Sequence, residues 1–184
     1  MNKSSIENLI KTNWKFDIVH SRLGFSAKHM VIAEVEGQFR DFDIKVDAGE
    51  GFADTEIEVI IKASSIDTGN TDRDNHLRSA DFFDAENHEE IRFNSTSLEK
   101  ISMNKFKMKG ELTIRDITKP IDLDVIYGGK IKDPWGNERV GFKVKGQVNR
   151  FDYDLKWNNL MDTGGAIVGK TINLNCHVEL IKNE

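Results

Sequence analysis

From Trp14 onward, apolar and polar residues alternate with a period of two, the pattern of strands buried on one face. Trp14, Phe16 and Ile18 open it, Leu23, Phe25 and Ala27 follow, and then Val35, Gly37 and Phe39. A slip of phase at Arg40–Asp41 precedes Phe42, Ile44 and Val46. Such a slip suits a bulge that bends a strand, as barrel closure requires. Later runs are cleaner: Ile57 to Ala63, Ile91 to Ser95, Phe106 to Ile114, Ile121 to Tyr127, Val140 to Val148 and Ile172 to Leu180. A turn over 116–120 returns the chain between two of them. About eight or nine strands with short turns favour an antiparallel sandwich or barrel.

Helix is scarce. The best candidate opens at Thr71, whose hydroxyl can cap the turn with Asp74 as the reciprocal partner. Asp74 and Arg78 are spaced to pair, Leu77 and Ala80 give a small apolar face, and the helix runs out at Asp81–Phe83. A second irregular stretch, 151–161, carries Trp157, Leu160 and Met161, which are too apolar to hang in water. Both segments are expected to fold over the barrel. The head, residues 1–13, reads as a polar extension in which Ile6, Leu9 and Ile10 could make one amphipathic turn or two; residues 14–184 form one domain.

Composition narrows the function. AVILMFWYC residues make up 38% of the 184, with 14 glycines, enough for a core. A net charge of −5 and scattered arginines argue against nucleic acid. One cysteine, Cys176, excludes an internal disulfide and reads as a small buried hydrophobe. No stretch approaches the ~18 apolar residues of a membrane span, so an integral membrane protein is not expected. The head lacks the apolar run of a signal peptide; the expected location is the cytoplasm, or the periplasm if a leader has been removed.

No nucleophile elbow, phosphate loop, dinucleotide fingerprint or zinc-protease motif occurs, so no catalytic residue is assigned. His20, His29, His76, His88 and His177 lack metal-ligand spacing, so no metal site is assigned either. His20 and His29 read as rim or core histidines, His88 and His177 as surface ones. Arg115 and Arg150 each follow an apolar strand; they suit an anionic head group or, more simply, ion pairs with nearby aspartates. Eleven phenylalanines and five methionines are a bulky, pliable set. An eight-stranded barrel is either filled by such side chains or left with room for one small ligand. Gly37, Gly110 and Gly146, on the inward pattern, leave space or ease coiling.

Several motifs together resemble the YceI-like family. They begin with Trp14, Asp17, His20–Ser21, Phe25, His29, Gly37 and Phe39. The most distinctive segment is Ser65-Ile66-Asp67-Thr68-Gly69-Asn70 with Arg73-Asp74, His76-Leu77-Arg78-Ser79 and Asp81-Phe82-Phe83-Asp84. Ile91, Phe93, Gly110, Leu112-Thr113-Ile114-Arg115, Thr118-Lys119-Pro120 and Asn149-Arg150 extend it to about Leu180. The resemblance implies an all-β fold: an extended eight-stranded, lipocalin-like antiparallel barrel with one short helix over it. It implies an interior tunnel for a polyisoprenoid or other long-chain lipid, held without covalent chemistry or a further cofactor, in what is often a homodimer. Many members carry a Phe–Gly pair after the late arginine; this chain has Phe151-Asp152-Tyr153-Asp154, so the loop over the pocket is expected to be reshaped.

The tunnel wall then falls to the alternating apolar residues Phe16, Ile18, Phe25, Phe39, Ile44, Val59, Ile61, Phe93, Phe106, Met108, Leu112, Phe142 and Val144, with Trp157 and Met161 closing it. Each position also fits plain core packing. Three functions compete: binding of an isoprenoid or isoprenoid-quinone lipid, with transport or storage as its purpose; an enzyme acting on such a lipid through His20, His29 or Arg150; and a filled barrel that binds a protein. The Thr68–Asn70 and Arg73–Asp74 group reads as turn and helix-cap scaffolding.

Overall fold

A computed structural model describes residues 14–30, 32–47, 55–158 and 167–182. The head with Ile6, Leu9 and Ile10, and also Leu160 and Met161, lie outside the described residues. The alternating runs become strands β1 (Trp14–Phe16), β2 (Arg22–His29), β3 (Ala33–Phe39), β4 (Phe42–Asp47), β5 (Glu56–Lys62), β6 (Ile66–Asp67), β7 (Glu90–Lys100), β8 (Lys105–Ile114), β9 (Ile117–Lys132), β10 (Glu138–Asn149) and β11 (Val168–Lys182). Helix α1 spans Thr71–Arg78.

All pairings are antiparallel, in the order β4-β5-β7-β8-β9-β10-β11-β2-β3-β6, with β1 added beside β11. The sheet curls because one bent run of chain serves both of its ends: β3 pairs with β2, and its continuation β4 pairs with β5. The bend falls at Arg40–Asp41, where the alternation slips, and the backbone bonds Arg40 N to Ser65 O and Lys62 N to Asp41 O hold the corner. The expected count of about eight or nine differs from eleven for a physical reason. The corner splits β3 from β4, the 3-10 turn Ala63–Ser65 splits β5 from β6, and β1 has only three residues.

Inward residues form the core. β8 shows it best: Phe106, Met108, Gly110, Leu112 and Ile114 are buried, whereas Lys105, Lys109 and Glu111 are exposed. The connection to β9 is tighter than expected. Arg115 and Asp116 alone make it, both with positive φ, and Ile114 faces Ile117 across a two-residue hairpin. Pro120 therefore lies within β9, at a point where β10 has not yet joined.

The inward glycines do not open space. A Cβ on Gly110 would lie 2.4 Å from the Phe93 ring and 2.5 Å from the Asn94 carbonyl oxygen. Gly37 is covered in the same way by Phe25, and Gly146 by Leu123. Large side chains lie across these glycines, so the residues serve close packing of side chain on strand.

Helix α1 caps one end of the barrel, and its details depart from the expected box. Asn70, not Thr71, is the N-cap, accepting from Arg73 N at 2.9 Å. Asp74 turns back to accept from Thr68 N at 2.9 Å and Thr68 Oγ1 at 2.6 Å. Arg78 donates to the carbonyls of Ser64 and Ile66 rather than pairing with Asp74, and so ties the helix to the β5–β6 run. Ala80 is exposed; Leu77, Phe82 and Phe83 supply the apolar contact.

At the opposite end Arg139 binds three carboxylates, those of Asp17 (2.7 Å), Asp133 (2.7 Å) and Glu179 (2.5 Å). Its guanidinium holds the Asp133 carboxyl far below the usual range, although burial opposes it. Beside it, Lys130 and Lys182 bring Glu138 down to about 2. Burial raises Asp17, but hydrogen bonds from His20 and Arg139 outweigh it and leave the group lowered.

Two outcomes are expected. Gly110→Val should destabilise by about 1–3 kcal/mol through overpacking, read as a lower Tm without loss of the β circular dichroism. The carboxyls of Asp17, Asp133 and Glu138 lie lower in the folded chain than their unfolded values near ~4. Their contribution to stability is complete above about pH 4 and is lost as pH falls through the folded values. Urea titrations should show stability dropping steeply there, and Arg139→Gln should flatten the drop.

Candidate ligand-binding cavity

The inward faces enclose a cavity of about 700 Å³. Every strand residue from Phe25 through Val144 in the expected wall lines it, and so does Trp157. Two expected members do not. Phe16 packs at a tilt against Phe42 with ring centroids 5.2 Å apart, in a side cluster with Leu23 and Ile44. Ile18 is 51% exposed because β1 stops at Phe16. Asp17 then accepts from Val19 N at 3.0 Å, making a turn that swings Ile18 outward. Met161, the remaining expected member, lies outside the described residues.

The void explains why Val59, Phe142 and Val144 point inward yet keep part of their surface accessible. β11 lines the same space with Ile172, Leu174, Cys176, Val178 and Leu180. Burial pushes the Cys176 thiol up to about 11, so it stays protonated, and Sγ donates weakly to the Gly24 carbonyl. That is the chemistry of a small apolar wall residue.

Polar groups collect at the helix end. Lys28, His29, Asp72, Arg73, His76 and Arg150 line the cavity there, and the exposure of Lys28, Asp72 and Arg73 shows that it meets the surface between β2 and α1. Arg73 is held by Thr68, donating to Oγ1 at 2.7 Å and to the carbonyl at 2.9 Å. The helix face was the part of the lining that alternation could not reveal.

Arg150 fits neither expectation set for it. It is 3% exposed and donates to four backbone carbonyls: Gly169 at 3.0 Å, Trp157 at 2.9 Å, Val168 at 3.1 Å, and Leu155. Burial lowers its pKa. One guanidinium thus fixes the strap 154–158 to the start of β11. Trp157, at the end of that strap, packs edge-on against His76 (4.6 Å) and tilted against Phe82 (5.3 Å). Arg115 likewise donates to the Phe82 carbonyl, at 3.1 Å.

The histidines divide. His29 lines the cavity, and His76 holds Trp157 while bonding Asp81 at 2.8 Å. His177 is exposed, while His88 is half-buried, with Asp116 at 3.0 Å. His29 ends β2 and His20 lies two residues before its start, so the strand, roughly 23 Å long at ~3.3 Å per residue, separates them and they cannot share an ion. Asp17, His20 and Glu179 do converge, but Arg139 already occupies that carboxylate pair.

A hollow antiparallel barrel with an apolar bore and a polar, helix-covered mouth defines a lipocalin-like fold. The chain belongs to the YceI family: the model of the YceI-like domain matches residues 14–180. The UPF0312 protein of Staphylococcus epidermidis is 36% identical over 170 residues, covering 91% of this chain and 96% of the relative. That of Staphylococcus aureus is 36% identical over 175 residues, covering 94% and 99%. Among solved structures, the Campylobacter jejuni YceI protein superposes with TM-score 0.71 at 36% identity, over 85% of this chain and 90% of that one. Burkholderia cenocepacia BcnA (0.77, 20%, covering 90% and 99%) and a polyisoprenoid binding domain from Saccharophagus degradans (0.67, 12%, covering 94% and 100%) share the fold.

Arg150→Met should cost about 3 kcal/mol or more, because four carbonyls lose a buried charged donor. Arg150→Lys should not restore it, since a point ammonium cannot reach the same four acceptors. Thermal unfolding reads the loss, and faster proteolysis within 154–158 reads the released strap.

Proposed function

We propose that this chain binds the tail of a long-chain polyisoprenoid or isoprenoid-quinone lipid in its bore, non-covalently, to carry or store it. The supporting observation is the apolar cavity of about 700 Å³ with its charged side chains gathered at the helix end. At ~30 Å³ per heavy atom, the share of a water in the liquid, it holds about 20 atoms, or roughly four prenyl units. Burial at ~0.8 kcal/mol per methylene gives a gross gain of about 16 kcal/mol. Chain ordering and lost translation take most of that; at ~0.3 kcal/mol per atom the net is about 6 kcal/mol, or tens of micromolar. A tail suits the site because it needs no directed polar partners along its length. The head group would sit among Lys28, His29, Asp72 and Arg73.

The likeness to a polyisoprenoid binding domain points the same way. Of the three acid–base groups expected for an enzyme, His29 and Arg150 line the cavity and His20 does not. His20 stands outside the cavity, bonded to Asp17, and Arg150 is saturated by carbonyls.

Native mass spectrometry of protein purified without detergent should show a retained prenyl lipid. After delipidation and reloading with geranylgeraniol, Met108→Trp, which fills the bore, should bind about tenfold more weakly while keeping its β spectrum. Equal binding by Met108→Trp would refute the site. Turnover of the bound lipid that vanishes in His29→Ala would favour the enzyme.

A further inference from the structure

The end of the barrel opposite α1 presents apolar side chains to water. Val19 is 80% exposed, Ile101 62%, Met103 67%, Ile131 66% and Trp135 81%. The strand register places them together: Phe16 faces Leu180, Lys100 faces Phe106, and Lys132 faces Glu138, all at this end. Scattered single apolar residues are ordinary on a surface; five from three neighbouring turns and the strand end beside them are a patch.

These tips are built rather than loose. Val19 N donates to Asp17 Oδ1 at 3.0 Å, and Trp135 N donates to Asp133 Oδ1 at 3.0 Å, so each apolar residue rides two positions after an aspartate in the same kind of turn. The two aspartates are joined through one guanidinium, Arg139. Tyr127 N bonds the Asn104 carbonyl, which sets the loop bearing Ile101 and Met103 against β9.

Charge selects the partner. Exposed Lys15, Lys100, Lys105 and Lys132 surround the tips and make no ion pair among the described residues. The carboxylates among them, Asp17, Asp133, Glu138 and Glu179, are taken up by Arg139, Lys130 and Lys182. Glu99 faces Lys109 at 3.9 Å, and Asp47 and Glu56 leave the β4–β5 side of this end acidic. On a chain of net charge −5, this is a local cationic ring around aromatic and aliphatic tips. Such a ring fits the interface of an anionic bilayer, where a Trp ring and lysine stems sit at head-group depth.

We propose that this end docks on anionic lipid bilayers. The proposal goes beyond tail binding and does not depend on it, because its readout needs no ligand in the bore. Flotation with phosphatidylcholine vesicles, with and without phosphatidylglycerol, tests it. The full chain should float with the anionic vesicles and release as salt rises. Trp135→Ser with Met103→Ser should weaken partitioning about tenfold, and Lys100→Glu with Lys105→Glu should abolish the preference for phosphatidylglycerol. Trp135→Phe should still float but lose the blue shift in tryptophan emission. Equal partitioning by wild type and the double variant overturns the proposal. So does sedimentation in which that double variant converts a dimer to monomers, since the patch would then be a contact between copies. Lipid retention in the bore stays intact in either case.

Discussion

Side chains projecting inward from this ring of strands do not meet across its axis, and most features of the molecule follow from that gap. A packed interior gains dispersion energy from partners on every side; a wall residue facing a void gives up part of it. An apolar void does not attract water to compensate, because no polar partners hold it. A hydrocarbon would restore the missing contacts at no polar cost, so on the proposed function occupancy would stabilise the barrel as it satisfies the wall. The fold and the function proposed for it rest on the same unfilled volume.

Holding such a ring open falls to its two ends, and each uses an arginine differently. Arg150 is buried with no carboxylate on it among the described residues and gives its donors to four main-chain carbonyls, which fixes the strap that carries Trp157. Arg139 gathers carboxylates, which locks two turns to β10 and β11. The first arrangement is insensitive to mild acid, because carbonyls do not titrate; the second weakens as its carboxylates protonate. Acid should therefore loosen the end bearing Trp135 before the helix-capped mouth.

Strand periodicity carried most of the fold into view. β5, β7, β8, β10 and β11 appear where the alternation places them, and the phase slip at Arg40–Asp41 marks the corner that closes the sheet. What alternation misjudged were positions where a polar side chain captures the backbone. Asp17 ends β1 and exposes Ile18; Asn70 caps α1 in place of Thr71; Arg115 and Asp116 turn the chain sooner than the expected loop. Of the two readings of the inward glycines, the one that gives them room fails for a related reason, since the neighbour lying across a missing side chain is not legible in the alternation. Arg150 stands out in the sequence as a strand-end arginine, but its role is not legible there, because its partners are carbonyls that every residue carries.

A diffraction map of crystals grown from protein never exposed to detergent addresses the central point most directly. Continuous density along the axis, reaching from Trp157 toward Trp14 and belonging to no part of the chain, is the expected result. Inward side chains closing on one another across the axis, with no room between them, would contradict it.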